Sequence, residues 1–119
     1  MNGIGAYQET AVLTQSRSKL VVMLYDGAIK FMKLAIREME AENFEEKGKY
    51  ITKAQDIINE LNAVLNMEAG GEIAVNLRKL YSFMHGHLAR ANAQNDPKLV
   101  EEVIECMDEL NQAWKDICE

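Results

Sequence analysis

The most apolar segment of the chain, residues 20–39, predicts one helix with two apolar faces. At 100° per residue, a narrow polar strip within about 40° of Asp26 carries Lys19, Lys30, Lys33, Arg37 and Glu40. One apolar face carries Leu20, Leu24, Gly27, Phe31 and Leu34, and the other carries Val21, Tyr25, Met32, Ile36 and Met39. A helix that packs against a single core needs an apolar stripe only a little over about 100° wide. We therefore expect one of the two faces to contact something other than the core.

Three more helical patterns follow along the chain, separated by short connections. We predict helices over residues of about 16–41, 44–66, 72–93 and 97–117, after an N-terminal arm of residues 1–13 that is loose or forms a short helix. Four helices of about 20 residues joined by short turns favour an antiparallel four-helix bundle. The expected fold is therefore all-α, in a single domain that spans residues 1–119.

Capping residues mark three of the predicted helix boundaries. Asn43 can cap the second helix, and Glu46 at the third helical position can complete a capping box. The pair Gly70-Gly71 is the strongest break inside the chain and separates the second helix from the third. Asp96 can cap the last helix, with Pro97 at its first position.

A second line of apolar residues lies beside the core stripe of the second helix, whereas the last helix reads as apolar on one side and acidic on the other. The surplus apolar surface is therefore predicted on one side of the bundle, where it would form a binding surface. Its candidate residues are Val21, Tyr25, Ile29, Met32 and Ile36 on the first helix and Tyr50, Ile57 and Val64 on the second. Two alternatives stay open at this point: the N-terminal arm or a second subunit covers these side chains.

Composition and charge exclude several classes of protein. The formal net charge of −6 argues against nucleic-acid binding, for which a basic patch is expected. No apolar run reaches the length of a membrane span, and residues 1–10 lack the features of a signal peptide, so we expect no membrane insertion and a cytoplasmic location. Cys106 and Cys118 are twelve residues apart on one predicted helix, about 18 Å along its axis, which is too far for a mutual disulfide.

The sequence contains no recognisable catalytic arrangement. His85 and His87 are two residues apart on a predicted helix and point in different directions, so both are expected to be partly exposed helix residues. Neither histidine has a glutamate three positions before it, as a di-metal bundle site requires. The Gly70-Gly71 pair lacks the lysine of a phosphate-binding loop. We therefore predict no catalytic residues, no metal and no cofactor, and the protein is not expected to be an enzyme.

Several segments spread over nearly the whole chain resemble the FliS family, the cytoplasmic export chaperones for flagellin. They are residues 24–29 (LYDGAI), 53–61 (KAQDIINEL), 70–74 (GGEIA), 76–77 (NL), 80–81 (LY), 91–92 (AN) and 113–115 (AWK). Tyr7-Gln8 in the arm also fits this family.

The resemblance implies a function and partners. Proteins of this family bind the disordered C-terminal segment of newly made flagellin, prevent its premature polymerisation and deliver it to the flagellar type III export apparatus. Their N-terminal arm can occupy part of the binding surface when flagellin is absent, so Tyr7 joins the candidate partner-binding residues. The alternative function is that of a structural homodimer or a regulatory protein-binding module without an export role.

Overall fold

The computed structural model describes the backbone of residues 3–65 and 67–118, and the side chains of residues 18–65 and 70–116. It contains four α-helices: α1 (Gly3–Glu40), α2 (Phe44–Ala63), α3 (Met67–Gln94) and α4 (Pro97–Cys118). No strand occurs in those backbone ranges. The predicted all-α, four-helix fold is confirmed. None of the helices described is long and apolar enough to cross a membrane.

The helices form a ring in which each one packs against its neighbours in the chain and α4 packs against α1. Adjacent helices run in opposite directions, as the contacts between α2 and α3 illustrate. Lys47 Nζ donates to the Asn92 carbonyl at 2.7 Å, and Gln55 Nε2 donates to the His85 carbonyl at 3.1 Å. Residue numbers therefore rise along α2 as they fall along α3. The arrangement is the antiparallel bundle that short connections favour.

The core follows a spacing of three and four residues on every helix. On α1 this spacing selects Tyr25, Ala28, Met32, Ala35 and Met39, all almost fully buried. The largest fully buried side chains of the molecule come from all four helices: Tyr25, Met32, Ile51, Ile58, Leu61, Tyr81, Met84, Leu88, Val100, Val103 and Met107. These residues repeat with the helical period, so they interdigitate along the bundle axis.

Two tyrosines cross the centre of this core. The hydroxyls of Tyr25 on α1 and Tyr81 on α3 are 2.7 Å apart, and their rings meet edge to face with centroids at 6.3 Å. Each phenol thus has a hydrogen-bond partner where water is excluded, as a buried polar group requires. Burial raises the pKa of both phenols above the usual value of tyrosine.

Of the two predicted side-chain caps, the one on α4 is confirmed and the one on α2 is not. The Asp96 carboxylate accepts a hydrogen bond from the backbone N–H of Lys98 at 3.0 Å, so the predicted cap of α4 is confirmed, with Pro97 as the first residue of the helix. The predicted capping box of α2 is wrong. Asn43 makes no side-chain cap bond; its amide donates instead to Glu38 Oε2 at 2.7 Å, and Glu46 pairs with Lys49.

The glycine pair produces a kink rather than a gap between two helices. α3 begins at Met67, and Gly71 interrupts its helical geometry with φ 51° and ψ −127°. This combination of a positive φ with a strongly negative ψ is readily accessible only to glycine, which explains the residue at this position.

The helical backbone of α1 begins at Gly3, so residues 3–13 continue this helix. The sequence analysis predicted an N-terminal arm here that is loose or forms a short helix. The Tyr7 side chain lies outside the described residues.

Candidate partner-binding surface

Four of the predicted binding residues lie in the core. Val21, Tyr25, Ile29 and Met32 are each at most 7% exposed. The expectation that this face of α1 is the surplus one is therefore wrong. Ala28 and Ala35 lie on the same face and are fully buried between the large side chains of Tyr25, Met32 and Met39, so this face packs against the other three helices.

The other predicted apolar face of α1 is the one that reaches the surface of the bundle. Leu20 and Met23 are 44% and 69% exposed, and Leu24, Phe31 and Leu34 are half-buried. On α2, the predicted second line of Tyr50, Ile57 and Val64 is half-buried, and two of its members lie against this side of α1: Tyr50 at Phe31 and Ile57 at Gly27. We name this surface the α1/α2 face; it consists of Leu20, Met23, Leu24, Phe31, Leu34, Tyr50, Ile57 and Val64.

An aromatic pair forms one end of the α1/α2 face. The rings of Phe31 and Tyr50 stack across the two helices with centroids 6.2 Å apart and an interplanar angle of 24°. Lys53 Nζ lies 5.3 Å from the Phe31 centroid and 6.0 Å from the Tyr50 centroid. The ammonium group thus lies within cation–π distance of both rings. This end of the face offers a partner both flat aromatic surface and a positive charge.

A close approach of the helices forms the middle of the α1/α2 face. A Cβ atom built on Gly27 would lie 3.3 Å from Cδ1 of Ile57, which is tighter than an ordinary van der Waals contact. Because Gly27 has no side chain, Ile57 can pack directly against the backbone of α1.

The remaining predicted residue, Ile36, lies on another side of α1. It lines an open cleft of about 450 Å³ between α1 and α4, together with Ile104 and charged residues that include Lys33, Lys98 and Glu101. The structure therefore brings Tyr50, Ile57 and Val64 together with one face of α1 but separates them from Ile36.

The prediction that α4 is apolar on one side and acidic on the other is confirmed. Val100, Val103 and Met107 are buried, and Leu99, Cys106 and Leu110 are packed half-buried against the same core. The acidic side chains of α4 are exposed: Glu101, Glu102, Glu105, Asp108 and Glu109. On α3, Leu80 is half-buried against the core and Phe83 is 54% exposed, which the sequence analysis did not predict. We call the half-buried and exposed apolar residues of these two helices the α3/α4 face; they are Leu80, Phe83, Leu99, Cys106 and Leu110.

Phe83 is held in place by a buried histidine. Its ring stacks on His87 with centroids 4.8 Å apart, and His87 Nε2 lies 2.7 Å from Glu102 Oε2. His87 is only 9% exposed, so the prediction of a partly exposed side chain is wrong for this residue, whereas His85 is half-buried. The helical spacing could not reveal that α4 covers one histidine and leaves the other at the surface.

The two other borders between neighbouring helices, α1 with α4 and α2 with α3, carry polar contacts. Between α1 and α4, Asp26 Oδ1 accepts a hydrogen bond from Asn111 Nδ2 at 2.7 Å and lies 3.4 Å from Lys115 Nζ. Between α2 and α3 lie the hydrogen bonds of Lys47 and Gln55. Because the helices form a ring in chain order, the two apolar faces lie on opposite sides of the bundle.

Two observations concern the reactive groups near these surfaces. Burial, and secondly the Glu109 carboxylate, raise the pKa of the Cys106 thiol, which lowers the fraction of reactive thiolate at neutral pH. Within the described part of the chain, no group of three histidine, cysteine or acidic side chains is placed to hold a metal ion.

The whole chain, residues 1–119, matches the family described as Flagellar protein FliS. The Flagellar secretion chaperone FliS of Vibrio cholerae is 40% identical over 116 residues, which cover 94% of this chain and 85% of that protein. Its counterpart in Salmonella typhimurium is 40% identical over 121 residues (98% and 90%), and that of Bacillus subtilis is 36% identical over 114 residues (96% and 84%). These names describe chaperones, in agreement with the prediction that the protein is not an enzyme. The chain belongs to the FliS family of flagellar secretion chaperones.

Proposed function

We propose that this protein is a cytoplasmic chaperone that binds the disordered C-terminal segment of flagellin, prevents its premature polymerisation and delivers it to the type III export apparatus. The names of its relatives support a role in flagellar secretion. The observation that carries the proposal is the α1/α2 face, where Leu20 and Met23 are exposed and the other apolar side chains of both helices are half-buried. Contiguous exposed apolar residues on a soluble domain are typical of a protein-binding site.

The α1/α2 face suits a flexible apolar segment. Met23 has three rotatable side-chain bonds and adapts to irregular partners, while the Phe31 and Tyr50 rings offer rigid contact area. Burial contributes roughly 25 cal/mol for each Å² of apolar surface. Ordering a disordered segment costs about 2 to 5 kcal/mol, so the segment must cover an area well beyond a single side chain.

The predicted binding residues take different parts in this proposal. Tyr50, Ile57 and Val64 contact the segment directly in the α1/α2 face, and Ile36 contacts a part of it that reaches the cleft between α1 and α4. The four core residues of that prediction act indirectly, by fixing the position of α1. A contact by Tyr7 rests on the family resemblance alone.

Calorimetry with a flagellin C-terminal peptide tests the proposal. Leu20→Glu and Met23→Glu place a charge on the α1/α2 face at side chains that are already exposed, so helix content should stay unchanged. We expect each to weaken binding by about tenfold or more, because the peptide would bury a carboxylate without a partner. Val75→Glu is the matched control, since Val75 is 42% exposed on α3 and belongs to neither apolar face. Equal affinity of all three variants, with circular dichroism intact, would remove the α1/α2 face from the site.

A homodimer, the alternative that the sequence left open, makes a different prediction. If the α1/α2 face is a dimer interface, light scattering of the protein without peptide gives twice the monomer mass. The Met23→Glu variant then gives the mass of the monomer. A monomer in both cases would exclude that the α1/α2 face is a dimer interface.

A further inference from the structure

We propose that a polar pocket between α2 and α3 binds a carboxylate group of the flagellin segment. The pocket has a volume of about 270 Å³ and is lined by Ile58, Asn59, Asn62, Tyr81, Ser82 and His85. The inference rests on the proposed function, because it names a second contact of the same partner. It goes beyond that proposal, since the α1/α2 face contacts apolar side chains whereas the pocket recognises one negatively charged group.

The polar side chains of the pocket can all donate hydrogen bonds. Asn59 and Asn62 on α2 contribute side-chain amides. On α3, Ser82 contributes a hydroxyl and His85 contributes an imidazole. None of the six described residues that line the pocket is acidic, although the chain has 19 acidic residues and only 13 lysines and arginines. A carboxylate only accepts hydrogen bonds, so it is the charged group that such a set of donors suits.

Arg78 orients one of these amides. Its Nε donates to Oδ1 of Asn62 at 3.5 Å, so the oxygen of this amide faces the guanidinium and its two N–H donors are left for another acceptor. Arg78 makes no ion pair with any residue whose side chain is described, so its positive charge beside Asn62 is not compensated there. Both effects favour an anion at this end of the pocket.

The core holds the pocket in a fixed shape. Ile58 and Tyr81 are at most 2% exposed, and the hydroxyl of Tyr81 is bound to that of Tyr25. Beside the pocket, Gln55 Nε2 donates to the carbonyl of His85 and joins α2 to α3. The donors therefore stand on helices that are already packed, and a ligand that binds them orders few protein groups.

The pocket and the α1/α2 face lie on the two flanks of α2. Ile57 belongs to the face and Asn59 to the pocket, and residues two apart on a helix point in nearly opposite directions. A helix with its side chains is about 10–12 Å wide and an extended chain advances about 3.3 Å per residue, so about four residues cross it. The acidic residues Asp56 and Glu60 are exposed and do not line the pocket. One flagellin segment can therefore occupy both sites.

Three forms of the flagellin C-terminal peptide test which carboxylate binds. The first ends in a free carboxylate, and the second ends in an amide, which removes the terminal charge alone. The third keeps the free end but has asparagine and glutamine in place of every aspartate and glutamate. In calorimetry we expect the second or the third peptide to bind about tenfold more weakly than the first, because a charged hydrogen bond is lost. A loss in the second identifies the terminal carboxylate, and a loss in the third identifies a side chain. Equal affinity of all three would overturn the proposal.

Two variants locate the carboxylate. Asn59→Asp and Asn62→Asp keep the size of the side chain and place a negative charge in the pocket. Each should weaken the first peptide by about tenfold through repulsion between like charges. Each should leave the peptide that lacks the critical carboxylate unchanged, since the repulsion needs both charges. Asn76→Asp is the matched control, because Asn76 is exposed on α3 and does not line the pocket. Equal weakening of all the peptides, or an effect no larger than that of Asn76→Asp, would refute the pocket as the carboxylate site.

The same peptides distinguish a failure of this inference from a failure of the proposed function. If none of the three peptides binds the original protein, the proposed function is refuted and the carboxylate site with it. If all three bind with equal affinity and Met23→Glu weakens each of them, the proposed function stands and the carboxylate site alone is refuted.

Discussion

Gly27 offers the sharpest test of how closely α1 and α2 pack. Replacing glycine by alanine inside a helix contributes about 1 kcal/mol to stability through helix propensity alone. At position 27 the new Cβ would lie 3.3 Å from Cδ1 of Ile57, so the terminal methyl group has to move by a few tenths of an ångström. We therefore expect Gly27→Ala to gain clearly less than about 1 kcal/mol of unfolding free energy. Gly27→Val adds two more carbon atoms at the same place and should lose about 1–3 kcal/mol.

The chain provides the reference for this measurement. Gly86 lies inside α3, and a Cβ atom built there meets no described atom within 4 Å, so Gly86→Ala reports helix propensity without a steric cost. Urea unfolding followed by circular dichroism gives the free energy of each variant. In an Ile57→Val background, which removes Cδ1, Gly27→Ala should recover the full gain seen at Gly86. A gain at Gly27 equal to that at Gly86 in the original protein would refute the close approach of α1 and α2.

Two further predictions concern buried polar groups. The pKa values of Tyr25 and Tyr81 are raised in the folded protein, so the unfolded chain releases these protons first, near pH 10. The free energy of unfolding should therefore be constant below that pH and fall above it by about 1.4 kcal/mol per pH unit for each tyrosine. Urea titrations between pH 8 and 12 measure this fall, and a fall that is as steep in the double variant Tyr25→Phe with Tyr81→Phe would contradict the prediction. Lys47→Met should lower the unfolding free energy by about 1–3 kcal/mol, because the Asn92 carbonyl loses its charged donor and keeps only the 3.4 Å hydrogen bond from the Asn95 backbone N–H. Lys49→Met should cause no measurable change, since Lys49 forms only exposed ion pairs. Equal effects of the two substitutions in thermal unfolding would contradict the role of Lys47.

The fold could be predicted from the sequence because the core repeats with the helical period. The stripe from Ile51 to Leu61 on α2 and the cap at Asp96 are local signals, and each agrees with the structure. The capping box at Asn43 failed because Glu38, at the end of the preceding helix, competes for the same amide group. That competition depends on how the chain turns between α1 and α2, which helical spacing does not contain.

The candidate site could be predicted in part. The line of Tyr50, Ile57 and Val64 lies where the spacing indicated, half-buried on the flank of α2. Both faces of α1 are apolar, so a helical wheel of this helix alone does not decide which one meets the core. The buried face, with Tyr25, Ala28 and Met32, is set by where the other three helices lie against α1, and the spacing within one helix does not contain that arrangement.

The hydrogen bond between Tyr25 and Tyr81 has a consequence for the order of folding. Its two residues are 56 positions apart and belong to helices that are not neighbours in the ring. Each apolar face, in contrast, belongs to a pair of helices joined by a short turn, and local contacts of this kind form early, whereas long-range contacts first require loop closure. We therefore expect the tyrosine bond to form late, when the two helix pairs dock, and its loss to speed unfolding more than it slows folding.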